Sequence, residues 1–82
     1  MNGDRVAVQG FRFGPAGLTV PAGAAVTWTF GDAPIPHNVT FDDGTASPTV
    51  ASGTWSRAFP TAGTYAYHSS IHPNMTGTVT VQ

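Results

Sequence analysis

Apolar side chains alternate with polar ones along most of the chain, which is the pattern of β-strands that bury one face. Threonines occupy many of the intervening positions, and this β-branched residue suits a solvated pleated face. No stretch keeps the i, i+3, i+4, i+7 apolar spacing of an amphipathic helix. The pattern therefore predicts an all-β chain. The inward-facing sets are Val6 and Val8; Val26, Trp28 and Phe30; Val39 and Phe41; Tyr65 and Tyr67; and Val79 and Val81.

Glycine and proline clusters separate these apolar runs and mark turns. Their spacing predicts about seven or eight short strands in a β-sandwich or small barrel. The least patterned stretch, 43–52, is expected to form a long loop or an irregular edge. Tyr65 follows Gly63 and Thr64, and this setting resembles the tyrosine corner of Greek-key sandwiches.

The chain has 82 residues and a mass of 8.5 kDa, so a single domain covering residues 1–82 is expected. Only 9% of residues are charged, the formal net charge is -1 and lysine is absent, which disfavours nucleic acid as a partner. Without cysteine there is neither a disulfide framework nor a thiolate cluster. No apolar stretch is long enough to span a bilayer, and the N-terminus lacks the regions of a signal peptide.

Three of the residues that bind transition metals are clustered near the C-terminus. His68, His72 and Met75 fall within eight residues, and His37 lies thirty-one positions before the first of them. The turn that contains His72 and Met75 can fold back over one end of the sandwich, and the proline loop before His37 can reach the same end. This clustering predicts a metal site.

Strand alternation separates two neighbouring residues of this region. If Tyr65 and Tyr67 face the core, Ser69 also points inward and His68 points outward. His68 is therefore predicted to be a surface residue, whereas Ser69 faces the same end of the sandwich as the predicted metal site.

The segment 63–81 resembles the C-terminal metal loop of the cupredoxins, the plastocyanin and amicyanin family of blue copper proteins. Ser69, His72 and Met75 stand at the places of that loop's cysteine, histidine and methionine. The motif Pro36-His37-Asn38-Val39 matches the family's first-ligand motif. The resemblance covers about residues 6–81 and implies a Greek-key β-sandwich of the cupredoxin type.

The resemblance also implies a function, namely one-electron transfer through one mononuclear copper. His37 and His72 would be ligands and Met75 the axial ligand, while Asn38 would tie the two ligand loops together and the Pro36 carbonyl would approach the metal from the far axial side. A transient redox partner would dock near His72, whose ring edge is expected to emerge through an apolar patch. The resemblance implies a periplasmic or extracellular location, and a monomer is expected.

Ser69 departs from the family pattern at its most important position. A blue site needs two imidazoles and a cysteine thiolate with a weak axial methionine, and a serine hydroxyl keeps its proton near neutral pH. Three explanations are open: an engineered cysteine-to-serine change, natural loss of redox function, or chance resemblance. With Ser69 we expect a weakly coloured Cu(II) site completed by water or the hydroxyl, a Zn(II) site, or an empty one.

Two other kinds of function compete with electron transfer. The alternative to electron transfer is a copper-holding module without redox activity, or a metal-free structural or binding domain in which His37 and His72 are incidental. Ser69 and His72 also resemble a nucleophile and its base, but no carboxylate lies near them in sequence to orient the histidine. We therefore expect that the protein is not an enzyme.

Overall fold

The computed structural model describes residues 4–82, so the first three residues of the predicted domain lie outside it. Eight β-strands account for the regular structure, and none of the described residues is helical. The strands are β1 (Arg5–Gln9), β2 (Arg12–Gly14), β3 (Gly17–Val20), β4 (Ala24–Phe30), β5 (Thr40–Phe41), β6 (Gly53–Phe59), β7 (Gly63–His68) and β8 (Thr76–Val81).

The strands form two four-stranded sheets, in the orders β2-β1-β4-β6 and β3-β8-β7-β5. Both sheets are mixed, because β1 pairs in parallel with β4 and β3 pairs in parallel with β8, while the other pairs are antiparallel. The predicted all-β sandwich of seven or eight strands is confirmed, and the number of strands is eight.

The core lies between the two sheets and contains the residues that alternation predicts. All of the predicted inward-facing side chains are buried except Tyr65, which is half-buried. Trp28 and Tyr67 are its largest members, and the Tyr67 ring lies 5.4 Å from Trp28 and 5.2 Å from Phe41 between centroids. Aromatic side chains from both sheets therefore fill the centre of the molecule.

Residues 42–52, between β5 and β6, follow an irregular path, as predicted for the stretch 43–52. This segment still pairs with the chain that precedes β5, because His37 and Val50 form an isolated bridge. The buried Ser47 hydroxyl accepts a hydrogen bond from the Val39 amide at 2.8 Å. The irregular edge therefore fixes the backbone on both sides of Asn38.

The predicted tyrosine corner is present. The Tyr65 hydroxyl donates to the Thr61 carbonyl at 2.6 Å, four residues earlier. Such a bond ties the connection between two strands of a Greek-key sandwich to the start of the second strand. It fixes the beginning of β7, the strand that leads to Ser69.

Candidate metal centre

Three connections meet at one end of the sandwich: the β1–β2 turn, the β4–β5 connection and the β7–β8 loop. The second carries His37 and the third carries His72, and their imidazole rings lie 4.9 Å apart between centroids. His37 is fully buried, and its backbone exchanges two hydrogen bonds with Val50, at 2.9 and 3.0 Å. The fold therefore brings together two histidines that are 35 residues apart in the chain.

The orientation of the His37 ring is set by Asp32, five residues earlier. Nε2 of His37 lies 2.9 Å from Oδ2 of Asp32. Hydrogen bonds from the Gly10 and Phe11 amides lower the pKa of Asp32, so near neutral pH its carboxylate is ionised and only accepts. Nε2 must then donate, which leaves the Nδ1 lone pair of a neutral imidazole free. This Nδ1 is buried with no hydrogen-bond partner among residues 4–82.

The β7–β8 loop is closed by hydrogen bonds between its own residues. The Ser69 amide donates to the Met75 carbonyl at 3.1 Å, and the Met75 amide donates to the His72 carbonyl at 2.8 Å. The Ser69 hydroxyl accepts from the His72 amide at 3.2 Å. Ser69 and Met75 are both buried, at 0% and 2% exposure. The compact loop therefore brings the Ser69 hydroxyl close to the backbone of His72 and fixes the backbone of Met75 beside Ser69.

Asn38 links the two histidine-bearing connections. Its side-chain amide donates to the Ser70 hydroxyl at 2.7 Å, and its Oδ1 accepts from the Ser70 amide at 2.9 Å. It also donates to the Thr49 hydroxyl at 3.0 Å, while Asn38 itself is nearly buried, at 5% exposure. The structural link expected from the sequence is present. Pro36, directly before His37, lies at the surface.

The donor groups at this end are two imidazoles, a thioether and a hydroxyl. Nε2 of His72, like Nδ1 of His37, is buried and has no hydrogen-bond partner in the described part of the chain. A buried polar atom without a partner is costly, and a bound metal ion would satisfy these two nitrogens. No group of three histidine, cysteine or acidic side chains able to hold a metal occurs within residues 4–82. The fit to copper rests instead on the two unpartnered imidazole nitrogens, with the thioether and the hydroxyl as further donors and no thiolate.

His68 lies apart from this pair, as alternation predicts. Its side chain is 37% exposed, and Nδ1 is 3.9 Å from an oxygen of Asp42, which is itself 72% exposed. Backbone pairing opposite Thr40 in β5 places it in the sheet rather than in the β7–β8 loop. His68 is therefore a surface residue outside the candidate site.

Two residues at this end were not identified from the sequence. Asp32 has a weak local signal, because it precedes His37 by only five positions. Phe11 has none, yet its ring lies edge-on to both imidazoles, with centroids 5.7 Å from His37 and 5.1 Å from His72. His72 is half-buried, and the apolar surface near it in the fold includes the exposed residues Ile71 and Phe11, at 41% and 49% exposure.

Comparison with known proteins gives consistent matches over nearly the whole chain. A profile of the copper binding proteins of the plastocyanin/azurin family matches residues 4–82. Plastocyanin of Scenedesmus fuscus is 36% identical over 85% of this chain and 86% of its own length. Amicyanin-alpha of Methylorubrum extorquens is 37% identical over 94% of this chain and 70% of its own length.

Solved structures with the same architecture include two cupredoxins of different kinds. A purple cupredoxin from Nitrosopumilus maritimus superposes with a TM-score of 0.84 at 30% identity, covering 95% of this chain and 98% of that one. A Cu(I) form of an amicyanin mutant gives a TM-score of 0.88 at 32% identity, covering 95% of this chain and 80% of that one.

Proposed function

This chain belongs to the plastocyanin/azurin family of copper-binding proteins, and from that premise we propose that it binds one copper ion through His37 and His72. Met75 and Ser69 would complete the site, with Ser69 standing where the family has its cysteine. The observation that carries this proposal is the pair of neighbouring imidazoles, each with a buried ring nitrogen that has no partner within residues 4–82.

The role that follows from the family is that of an electron carrier and not an enzyme. Bound copper supplies a one-electron couple between Cu(II) and Cu(I). The protein's own contribution is rigidity, because Asp32 fixes the His37 ring and Asn38 ties the two connections together. A frame that holds its ligands in one geometry keeps the rearrangement between the two oxidation states small.

Ser69 changes what this site can do. A neutral hydroxyl does not replace a thiolate, so the strong copper–sulfur bond that gives a blue site its colour is missing. We expect a weakly coloured, tetragonal Cu(II) site in this chain. Zn(II) at the same residues, or a site left empty, are competing outcomes that a binding measurement separates.

The expected partner is a redox protein that docks transiently on the apolar surface beside His72. Small, weak interfaces are typical of such encounters. The apolar surface that supports this proposal includes Ile71 and Phe11, both exposed. A periplasmic or extracellular location is proposed from the family. Among residues 4–82 no helix is long and apolar enough to cross a membrane.

A metal-free structural or binding domain is the second candidate. It is favoured by the finding that no three histidine, cysteine or acidic side chains converge within the described residues. The two candidates differ in what they require of His37, because a metal site needs its free Nδ1 and a structural domain does not.

Calorimetric titration with Cu(II) tests the choice between them. We expect one equivalent to bind to the unaltered protein and to His68→Ala, the matched control that removes the exposed histidine. Binding should be lost in His37→Ala and in His72→Ala, and the half-buried His72 is the safer change for folding. Unchanged binding after both substitutions would remove the metal role. An electron paramagnetic resonance spectrum with the narrow hyperfine splitting of a copper thiolate would contradict the assignment of Ser69.

A further inference from the structure

The turn between β1 and β2 has an unusual residue for its conformation. Gln9 pairs with Arg12, so the connection is the two residues Gly10 and Phe11, whose φ angles are 63° and 58°. Two successive left-handed residues are the mark of a type I′ hairpin, where asparagine, aspartate and glycine are preferred. A bulky residue with positive φ is an outlier, and such outliers cluster where function requires them.

A single carboxylate holds this turn. Oδ1 of Asp32 accepts from the Gly10 amide at 2.9 Å, and Oδ2 accepts from the Phe11 amide at 3.1 Å. The same Oδ2 accepts from Nε2 of His37 at 2.9 Å. Asp32 therefore joins the β1–β2 turn directly to one of the two histidines, and its side chain is 16% exposed.

The Phe11 ring lies across the histidine pair with much of its surface in solvent. The plane of the Phe11 ring makes an angle of 84° with the His37 ring and 89° with the His72 ring, so both contacts are edge-on. Phe11 is 49% exposed, whereas Nε2 of His72 is buried. A ring in this position contributes less to the core than to separating the imidazoles from water.

We propose that Phe11, held in place by Asp32, is a cap that controls access of metal ions and small reagents to His37 and His72. Asp32 is a positioning residue for this cap. The effect on metal exchange rests on the proposed function, whereas the cap itself requires no metal. The role over the histidines thereby explains why a bulky residue, Phe11, is kept at a turn position with positive φ.

Chemical modification of His72 tests the cap without metal. Diethyl pyrocarbonate acylates neutral imidazole, so the protein prepared without metal is treated at about pH 8, and modified peptides are quantified by mass spectrometry. His68, exposed and outside the site, is the internal reference. In Phe11→Gly, which removes the ring and suits the left-handed turn, the His72 rate relative to His68 should rise about tenfold, in proportion to the open population.

Two further variants assign the role of Asp32. Asp32→Asn loses one carboxylate oxygen and should also accelerate modification of His72. Asp4→Asn makes the same change of charge directly before β1, at the other end of that strand from the β1–β2 turn, and should react at the unaltered rate. Phe11→Leu keeps an apolar side chain and should lie between the unaltered protein and Phe11→Gly. Rates equal in all variants would overturn the cap, and acceleration in Phe11→Gly alone would overturn the role of Asp32.

Metal exchange is tested separately with Cu(II) and a chelator in excess. In Phe11→Gly the association and release rates should both rise, by a similar factor, while the dissociation constant changes little because Phe11 is not a ligand. A large loss of affinity that comes from faster release at an unchanged association rate would contradict the access role. If the unaltered protein binds no copper, the proposed function fails, and modification of His72 alone decides whether the cap exists.

Discussion

Gly77→Ala tests how closely the Tyr67 ring packs over the neighbouring strand beneath the candidate site. Gly77 in β8 lies opposite Tyr67 in β7, and it is buried. A Cβ at this position would overlap Cζ and Oη of Tyr67 and lie 2.8 Å from Cε1. The Tyr67 ring has little room to move, because it is buried between Phe13, Trp28 and Phe41. We therefore expect strain and not a simple rotation of the ring.

The expected size of the effect follows from two opposing contributions. Overpacking of a filled core costs about 1–3 kcal/mol. Replacing glycine by alanine at an ordinary backbone conformation restores about 0.4–1 kcal/mol through the unfolded chain. The net loss in the free energy of unfolding is about 1–2 kcal/mol, or about 5–15 °C in Tm for a domain of this size.

Thermal and urea unfolding followed by circular dichroism measure this loss. The matched control is Gly17→Ala in β3 of the same sheet, where nothing lies within 4 Å of the added Cβ, so stability should rise slightly. Adding Tyr67→Phe to Gly77→Ala removes one of the overlapped atoms and should recover part of the loss. The reasoning is refuted if Gly77→Ala and Gly17→Ala have the same Tm.

Three further predictions concern tyrosines and one ion pair. Tyr65→Phe removes the bond to Thr61 and should cost about 0.5–1.5 kcal/mol in urea unfolding; no change would show that the corner is not stabilising. Burial raises the pKa of Tyr67, so stability should fall as pH rises above 10.0, and Tyr67→Phe should abolish that fall in alkaline unfolding curves. The hydrogen bond from the Arg57 guanidinium lowers the pKa of Asp43 from 3.8 to about 2, so this pair stabilises the fold above pH 3.8 and loses its effect as the pH falls towards 2. In Asp43→Asn the loss of stability with falling pH should therefore be less steep. The same dependence of stability on acid pH in both proteins would contradict this.

Much of the fold could be predicted because alternation reports burial directly. Successive side chains of a strand point to opposite faces. In β4, Val26, Trp28 and Phe30 are therefore buried in the core, whereas Thr29 is exposed. The parallel pairing of β1 with β4 and of β3 with β8 could not be predicted. Pairing partners far apart in sequence leave no trace in the alternation of either strand.

The candidate site was predictable to the extent that its residues lie in short motifs. Ser69, His72 and Met75 share one loop, and alternation correctly separated Ser69 from His68. Phe11 reaches the same end from the β1–β2 turn, far away in sequence, and only the three-dimensional arrangement shows its contact with the imidazoles. Its neighbour Gly10 signals a turn, but a turn signal does not reveal what a side chain covers.

The central claim is that Ser69 occupies the thiolate position of a copper site whose other parts are intact. The Ser69 side chain is fully buried, and its hydroxyl accepts from the His72 amide, which would donate equally to a thiolate. The most direct measurement is a Cu(II) titration of Ser69→Cys, followed by visible absorption, with Ser52→Cys as the control for an exposed thiol. An intense charge-transfer band that saturates at one equivalent in Ser69→Cys alone is the predicted result. A folded Ser69→Cys protein with no such band would contradict the claim.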